Sequence, residues 1–146
     1  MRFVHDALPD LGMDELDKSL TLLGKRLRAP ILIASMTGGT ERAARINREL
    51  AALAEARGYA FGLGSQRAMH RDPALVSTYD VRSVAPNVVL FGNIGLVQAR
   101  EMATVELAEL VAKVGADALC VHLNPAQELV QPEGDRDFRG GLATLE

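Results

Sequence analysis

The stretch Val88–Val121, VVLFGNIGLVQAREMATVELAELVAKVGADALCV, carries the clearest pattern of secondary structure in the sequence. It begins with the short apolar run Val88–Phe91 and ends with a second one, Ala118–Val121. The i, i+3, i+4, i+7 spacing of an amphipathic helix is shared by four residues between the runs: Leu107, Leu110, Val111 and Val114. Gly115 follows as a helix C-terminal cap. The stretch therefore predicts a strand, a helix and a second strand.

Two earlier apolar runs, Ile31–Ala34 and Tyr59–Leu63, extend this unit toward the N-terminus. The four runs begin at residues 31, 59, 88 and 118, which are 28 to 30 residues apart. A βαβ unit needs about 30 residues, so the spacing fits a series of such units. The runs are continuous rather than alternating, which is typical of parallel strands covered on both faces.

The intervals between the earlier runs carry helix signals. Thr40 is a candidate N-cap and Gly58 a candidate C-terminal cap of the first helix. The dipeptide Asp72-Pro73 predicts the start of the second, with a cap followed by proline at the first helical position. The predicted inward stripe of the first helix follows i, i+4, i+7, i+11: Ile46, Leu50, Leu53 and Arg57.

A regular β-α-β-α order leaves two main architectures, a (β/α)8 barrel and a doubly wound open sheet. We favour an α/β fold of the (β/α)8 TIM-barrel type. Such a barrel takes about 250 residues, so the 146 residues present would supply only its first four βα units, a half-barrel. Residues 1–29 show no strong periodicity and are predicted to be a leader that packs on the barrel. The sequence stops in a helical stretch at residues 141–146, which indicates a truncated fragment.

Composition excludes several classes of function. A net charge of −3 is small and of the wrong sign for a nucleic-acid or membrane-surface partner. No run approaches the roughly 18 apolar residues of a membrane span, and the N-terminus lacks the apolar region of a signal peptide. The lone cysteine, Cys120, fits a reducing compartment. These features predict a cytoplasmic globular protein.

Polar residues follow each apolar run. The four runs lead into Ser35–Gly39, Gly64–Arg67, Gly92–Gly95 and His122–Glu128. In a parallel barrel all strand C-termini open on the face that carries the active site. The four segments are therefore predicted to converge on one site.

The residue types in these segments suit phosphate chemistry. Glycines beside hydroxyl groups let backbone N–H groups approach a phosphate or a planar ring. Arg67 can clamp phosphate oxygens with two parallel hydrogen bonds. His122 and Asn124 alternate on one strand and so point to the same side. Glu128 can supply one oxygen ligand to Mg²⁺, which often binds through one or two carboxylates and substrate phosphates.

Each residue also has a purely structural interpretation. Gly38-Gly39 alone is more often a turn than a phosphate cradle. His122, between Val121 and Leu123, would by default be a hydrogen-bonded core histidine. Arg67 and Glu128 could each lie in a solvated ion pair worth about 0–1 kcal/mol. The functional interpretation depends on the four segments meeting at one face.

The ordered series of motifs resembles the flavin-dependent type 2 isopentenyl-diphosphate isomerase family. The matching segments cover nearly the whole chain in order: Arg2–His5, Ala7–Pro9, Ala29–Ile33, Ser35–Gly39, Gly62–Arg67, Asn93–Gly95, His122–Asn124, Gln127–Glu128 and Gln131–Asp135. The resemblance implies that residues 30–146 are the first half of an FMN-binding barrel. The implied reaction interconverts isopentenyl diphosphate and dimethylallyl diphosphate in isoprenoid biosynthesis, with reduced FMN, NADPH as the reductant and Mg²⁺.

The resemblance also implies roles for individual residues. The FMN contacts would be Ser35, Met36, Thr37, Ser65 and Asn93. The substrate diphosphate would lie along Ser65, Gln66, Arg67, His122 and Asn124. Gln127 would touch the substrate near the reacting carbons as the catalytic residue, and Glu128 would hold Mg²⁺.

Two departures and two alternatives qualify this assignment. The basic Arg-Lys pair and the Glu-His that usually precede Arg2–His5 are absent, as is the C-terminal half, so the fragment alone is predicted to be inactive. One alternative is an FMN-barrel oxidoreductase of the 2-hydroxy-acid oxidase type. The other is a non-catalytic half-barrel that self-associates through its open strand edges. The predicted partners are a small diphosphate and further copies of the chain, with no nucleic acid and no membrane.

Overall fold

The four apolar runs form a parallel sheet in the computed structural model, which describes Arg2 and residues 4–146. A separate antiparallel hairpin precedes it, with a turn at Leu23-Gly24. The strands are β1 (Leu20–Leu22) and β2 (Lys25–Leu27) in the hairpin, and β3 (Leu32–Ile33), β4 (Ala60–Gly62), β5 (Val89–Gly95) and β6 (Ala118–His122) in the sheet. Their order in the sheet is β3-β4-β5-β6, and each neighbouring pair is parallel. The prediction of four parallel strands at these runs is confirmed.

Helices follow each strand of the sheet, four of them between the strands and two after β6. They are α1 (Glu41–Arg57), α2 (Arg67–Arg71), α3 (Leu96–Glu101), α4 (Thr104–Val114), α5 (Pro125–Val130) and α6 (Gly141–Leu145), with 3₁₀ turns at Met13–Glu15 and Pro73–Tyr79. The predicted cap at Asp72 is confirmed, since its Oδ1 accepts from the Ala74 N–H at 3.0 Å. The interval after it forms a 3₁₀ helix instead of the expected α-helix.

Helix α1 has the predicted ends but a different inward face. Thr40 Oγ1 accepts from the Ala43 N–H at 3.1 Å, and Gly58 ends the helix with φ +66°. Ile46 and Leu53, predicted to face inward, are 39% and 46% exposed. The buried face consists of small residues and one amide: Ala43, Ala44, Asn47, Ala51 and Ala54. Alanine on this face lets the helix axis lie close to the sheet, so the larger apolar residues lie at its margins.

The sheet has a helical layer on one face and the hairpin on the other. Phe61, Leu90 and Ile94 belong to the core formed with α1, α4 and the Pro73–Tyr79 turn. Ala60 and Val89, which alternate with them along the strands, pack against Leu27 and the rest of the hairpin. Asn93 and His122 lie on this second face, beyond the part that the hairpin covers.

An ion cluster joins the hairpin to the N-terminal ends of the strands. The Asp117 carboxylate contacts Lys25 Nζ at 2.8 Å and Arg82 Nη2 at 3.1 Å, and it accepts from the Leu90 N–H at 2.8 Å. Arg82 also donates to the carbonyl of Gly115 at 2.6 Å. The segment 20–27, within the predicted leader, is thus packed on the sheet.

The expected half-barrel is wrong. The structure has an open four-stranded parallel sheet and a two-stranded antiparallel sheet, arranged as a small α/β domain. The 28–30-residue spacing reports the βα repeat, whereas closure depends on strand tilt and stagger, which local spacing does not contain. The hairpin also covers part of the face that a barrel would turn inward. In the described part of the chain, no helix is both long and apolar enough to cross a bilayer.

Candidate functional site

The polar segments that follow β3, β4, β5 and β6 meet at the C-terminal edge of the sheet, as predicted. Gly64 donates its N–H to the Thr37 carbonyl at 3.1 Å, which joins the first two segments. A Cβ at Gly64 would lie 2.3 Å from that carbonyl oxygen, so only glycine permits the contact. Tyr79 donates its hydroxyl to the Ser65 carbonyl at 2.8 Å and lies against Gly38. Gly38 and Gly64 therefore allow neighbouring segments of the backbone to pack closely.

A polar cavity of about 240 Å³ opens where the segments meet. Its lining combines a cation, an anion and several hydrogen-bonding groups: Gly38, Ser65, Arg67, Ala68, Tyr79, Gln98, His122 and Glu128. The cavity thus brings together three predicted site residues that are charged or can titrate: Arg67, His122 and Glu128. We call it the polar cavity.

The His122 imidazole is fixed by Asn93. Its Nδ1 lies 2.8 Å from Asn93 Oδ1, and because an amide oxygen only accepts, Nδ1 carries the proton. Burial lowers the pKa of His122, and Arg67 adds to this effect while Glu128 opposes it. The ring is therefore neutral at neutral pH, with Nε2 as an acceptor. A bound phosphate would favour the charged ring, in which Nε2 donates.

Glu128 is held as an anion. Its Oε2 accepts from the Asp135 N–H at 3.0 Å and its Oε1 from the Asn124 amide at 2.8 Å. The Asp135 N–H is the main cause that lowers the pKa of Glu128, followed by Asn124, Arg67 and His122. Each oxygen makes one of these hydrogen bonds and retains a lone pair for a cation. This donor set fits one-carboxylate binding of Mg²⁺.

Arg67 lies at the first turn of α2, 38% exposed, with its Nη1 3.9 Å from Asp135 Oδ2. Asp135 Oδ2 also accepts from Gln98 Nε2 at 2.6 Å. Arg67 is therefore close to a carboxylate but does not form a tight bidentate pair with it. Its guanidinium retains donors for another anion.

Two predicted contacts are placed differently from the rest. Gln66 is fully buried; its Nε2 donates to the Leu110 carbonyl at 2.8 Å, and its Oε1 accepts from the Asn93 N–H at 3.0 Å. Its side chain thus points into the core and anchors the strand that carries Asn93. Gln127 is exposed on α5 and does not line the polar cavity.

The expected FMN contacts do not form a flavin cradle by themselves. Met36 is 81% exposed, whereas Asn93 is buried and its side chain is bonded to His122. The space over Gly62 is filled by the Ser35 hydroxyl, and that over Gly64 by Thr37. The described residues therefore do not fit FMN as they stand, and no chemical step is assigned to it.

Protein ligands for a metal ion are also few in this site. Within residue 2 and residues 4–146, no group of three or more His, Cys, Asp or Glu side chains is arranged to hold a metal ion. A cation at Glu128 would have to complete its coordination with substrate oxygens and water.

An apolar cavity of about 200 Å³ adjoins the polar cavity and shares Gln98, His122 and Glu128 with it. Most of its remaining wall is apolar, formed by Leu96, Val97, Leu123, Pro125 and Phe138. Asn124 and Asp135 add polar groups to it. Together the two cavities can accept a ligand with one charged and one hydrocarbon end.

Sequence reasoning did not single out Tyr79 or Gln98 as site residues. Tyr79 lies in the Pro73–Tyr79 turn and Gln98 in α3, so neither follows a strand directly. Asp135 lies in the segment Gln131–Asp135, for which the sequence predicted no role. The signal that was available for Gln98 was its position one turn after the Gly92–Gly95 strand end.

No family model matches the chain. Relatives with the name isopentenyl-diphosphate delta-isomerase do match along nearly its whole length. The protein of Synechococcus sp. is 51% identical over 145 residues, 99% of the chain and 42% of the relative. That of Rickettsia felis is 49% identical over 146 residues, with the same shares of 99% and 42%. That of Methanosarcina acetivorans is 49% identical over 140 residues, 95% of the chain and 38% of the relative.

These names correct the assignment to the FMN-dependent type 2 family. The relatives are called isopentenyl-diphosphate delta-isomerase, with no flavin and no subtype in the name, and the half-barrel that the type 2 resemblance implied is not the fold observed. Nothing in the comparisons supports the 2-hydroxy-acid oxidase or the non-catalytic half-barrel. The chain is similar to isopentenyl-diphosphate delta-isomerases and spans about two fifths of the length of the curated relatives it matches.

Proposed function

We propose that the protein binds a short hydrocarbon diphosphate with Mg²⁺ at the strand ends and takes part in interconverting isopentenyl and dimethylallyl diphosphate. The observation that carries this proposal is the pairing of the polar and apolar cavities around His122, Gln98 and Glu128. A diphosphate ester of a branched five-carbon chain has the matching charged and apolar ends. The names of the relatives support the reaction.

The charged end would be bound by groups of the polar cavity. Arg67 would donate to the phosphate oxygens, since a guanidinium is suited to planar, paired recognition of them. Ser65 adds a hydroxyl at the cavity wall. His122 would become protonated beside the phosphate and donate from Nε2, while Asn93 holds Nδ1.

Glu128 would hold Mg²⁺, with Asn124 keeping the carboxylate in place. The cation would supply positive charge that offsets the diphosphate and orients it. Gln127, the neighbour of Glu128 on α5, is proposed to move over the reacting carbons as an orienting amide.

The hydrocarbon end would lie in the apolar cavity. Moving its double bond requires that one proton be added and another removed. Burial against Leu96 and Leu123 would keep bulk water away from the carbons. The chain's own contribution is thus to bind, orient and exclude water.

An isotope-exchange assay tests the proposal. The protein, extended to the full length of its relatives, is incubated with isopentenyl diphosphate and Mg²⁺ in D₂O, with and without FMN and NADPH. The product is analysed by mass spectrometry and NMR. We expect dimethylallyl diphosphate that carries deuterium, at a rate that depends on Mg²⁺. Unchanged substrate under these conditions, with binding intact, would refute the catalytic part of the proposal for this chain.

A further inference from the structure

We propose that Asp135 is an internal counter-anion for Arg67. In the free protein the Asp135 carboxylate pairs with the Arg67 guanidinium, and a bound diphosphate displaces that carboxylate. This proposal rests on the proposed function only in taking the polar cavity as an anion site. It assigns a positioning role to a residue in the segment after α5. The role is distinct from that of Glu128.

Asp135 lines the adjoining apolar cavity and contacts three residues that line the polar cavity: Arg67, Gln98 and Glu128. Its carboxylate lies 3.9 Å from Arg67 Nη1 and accepts from Gln98 Nε2 at 2.6 Å. Its N–H donates to Glu128 at 3.0 Å. Asp135 is therefore fixed by its backbone to the proposed metal ligand, while its side chain faces the proposed phosphate ligand.

The geometry suits a contact between Arg67 and Asp135 that an incoming anion can replace. At 3.9 Å the contact is loose, and the two side chains are 38% and 31% exposed, so the attraction between them is weak. A diphosphate carries more charge than a carboxylate and can make two parallel hydrogen bonds with arginine. The incoming anion would thus replace Asp135, which keeps its hydrogen bond from Gln98. In the free protein Asp135 would hold Arg67 turned into the cavity.

The same segment contains a matched control residue. Asp137 is also an aspartate on a loop, but it pairs with Arg139 at 2.8 Å and lies 3.9 Å from Arg100. It does not line either of the two cavities. Asp137→Asn removes the same charge from the same segment and leaves Arg67 alone.

The test is calorimetric titration of inorganic diphosphate into the protein, Asp135→Asn and Asp137→Asn, at low and high salt. Asparagine retains an oxygen for Gln98, and the backbone bond to Glu128 is unaffected. We expect Asp135→Asn to bind about two- to fivefold more tightly at low salt. The gain should shrink at 1 M salt, where charges are screened within about 3 Å. Asp137→Asn should bind like the parent.

Three results would overturn the proposal. They are equal or weaker binding by Asp135→Asn, an equal gain in Asp137→Asn, and absence of diphosphate binding in all three proteins. Thermal unfolding of each variant separates weaker binding from a damaged fold. Because inorganic diphosphate has no carbon to isomerise, failure of the isomerase assay leaves this result standing.

Discussion

Within the polar cavity, the neutral state of His122 makes stability depend on pH. Burial lowers the pKa of His122 in the folded protein. Below its ordinary value of about 6.5 the unfolded chain therefore binds more protons than the folded one. Stability must then fall as the pH drops from about 7 toward the lowered value.

We predict that replacing this ring removes that dependence. In His122→Gln, the urea midpoint should change less between pH 7 and pH 5.5 than in the parent, because no imidazole titrates at this site. Urea unfolding at several pH values measures the effect. Parallel pH profiles for the two proteins would show that His122 is not held neutral by the fold.

Metal dependence should separate the proposed role of Glu128 from that proposed for Gln127. Glu128→Gln keeps the shape but removes the charge, so isomerisation should fall by a factor of about 10² or more. Gln127→Ala should lower turnover while its Mg²⁺ curve keeps the parent's midpoint, because an amide is a poor Mg²⁺ ligand. Rates measured against Mg²⁺ concentration, in a protein extended to the full length of its relatives, test both variants. A Glu128→Gln protein with the parent's rate and metal curve contradicts the metal assignment.

Among the elements, the ion cluster at Asp117 is expected to stabilise the contact between the hairpin and the sheet. Burial alone would raise the pKa of Asp117, but hydrogen bonds from Lys25, Leu90 and Arg82 outweigh it, so the pKa is lowered. A lowered pKa in a carboxylate means that its stabilising effect is present at neutral pH and lost as the pH falls through the folded value.

Asp117→Asn should therefore lower the free energy of unfolding at pH 7 by about 2 kcal/mol. Glu109→Gln is the control, since Glu109 forms an exposed i,i+4 pair with Lys113 at 3.3 Å and should cost no more than about 0.5 kcal/mol. Urea unfolding measures both. Similar small losses in the two variants would mean that the cluster contributes little.

The helices show which parts of an element the sequence determines. Thr40 and Gly58 marked the ends of α1 because caps depend on local hydrogen bonding and backbone geometry. The inward face was mispredicted because Ala43, Ala51 and Ala54 can pack closely on the sheet, and hydrophobicity alone ranks them below Ile46. Asn47 reinforces that face by donating to the Thr37 carbonyl at 3.1 Å.

In the whole molecule, the sequence predicted where the strands end but not that the sheet stays open. His122 and Asn93 met as expected, because parallel strands place their C-terminal ends at one edge. The hairpin at 20–27 has no strong periodic pattern, and its place on the second face depends on distant partners such as Asp117. Asp135 likewise reaches the site only through tertiary contacts.

The open sheet leads us to predict self-association. β3 and β6 are its edge strands, and Leu32 on β3 is 47% exposed. Leu32→Lys should shift the protein toward monomer, since a charge on an edge strand opposes pairing. Val105→Lys, at a 65% exposed helical position, should not. Sedimentation velocity over a range of concentrations measures this, and a parent that is monomeric throughout would contradict it.

The central claim is that the polar cavity binds the diphosphate of a hydrocarbon ester through Arg67. The most direct test is calorimetric titration of isopentenyl diphosphate with Mg²⁺ into the protein, Arg67→Gln and Arg71→Gln. Arg71 is the matched control, because it ends the same helix and is exposed, outside the cavity. We predict binding that weakens about 10- to 100-fold in Arg67→Gln, as expected for lost charge-assisted hydrogen bonds, and is unchanged in Arg71→Gln. Equal affinity in the parent and Arg67→Gln, or no binding in the parent, would contradict the claim.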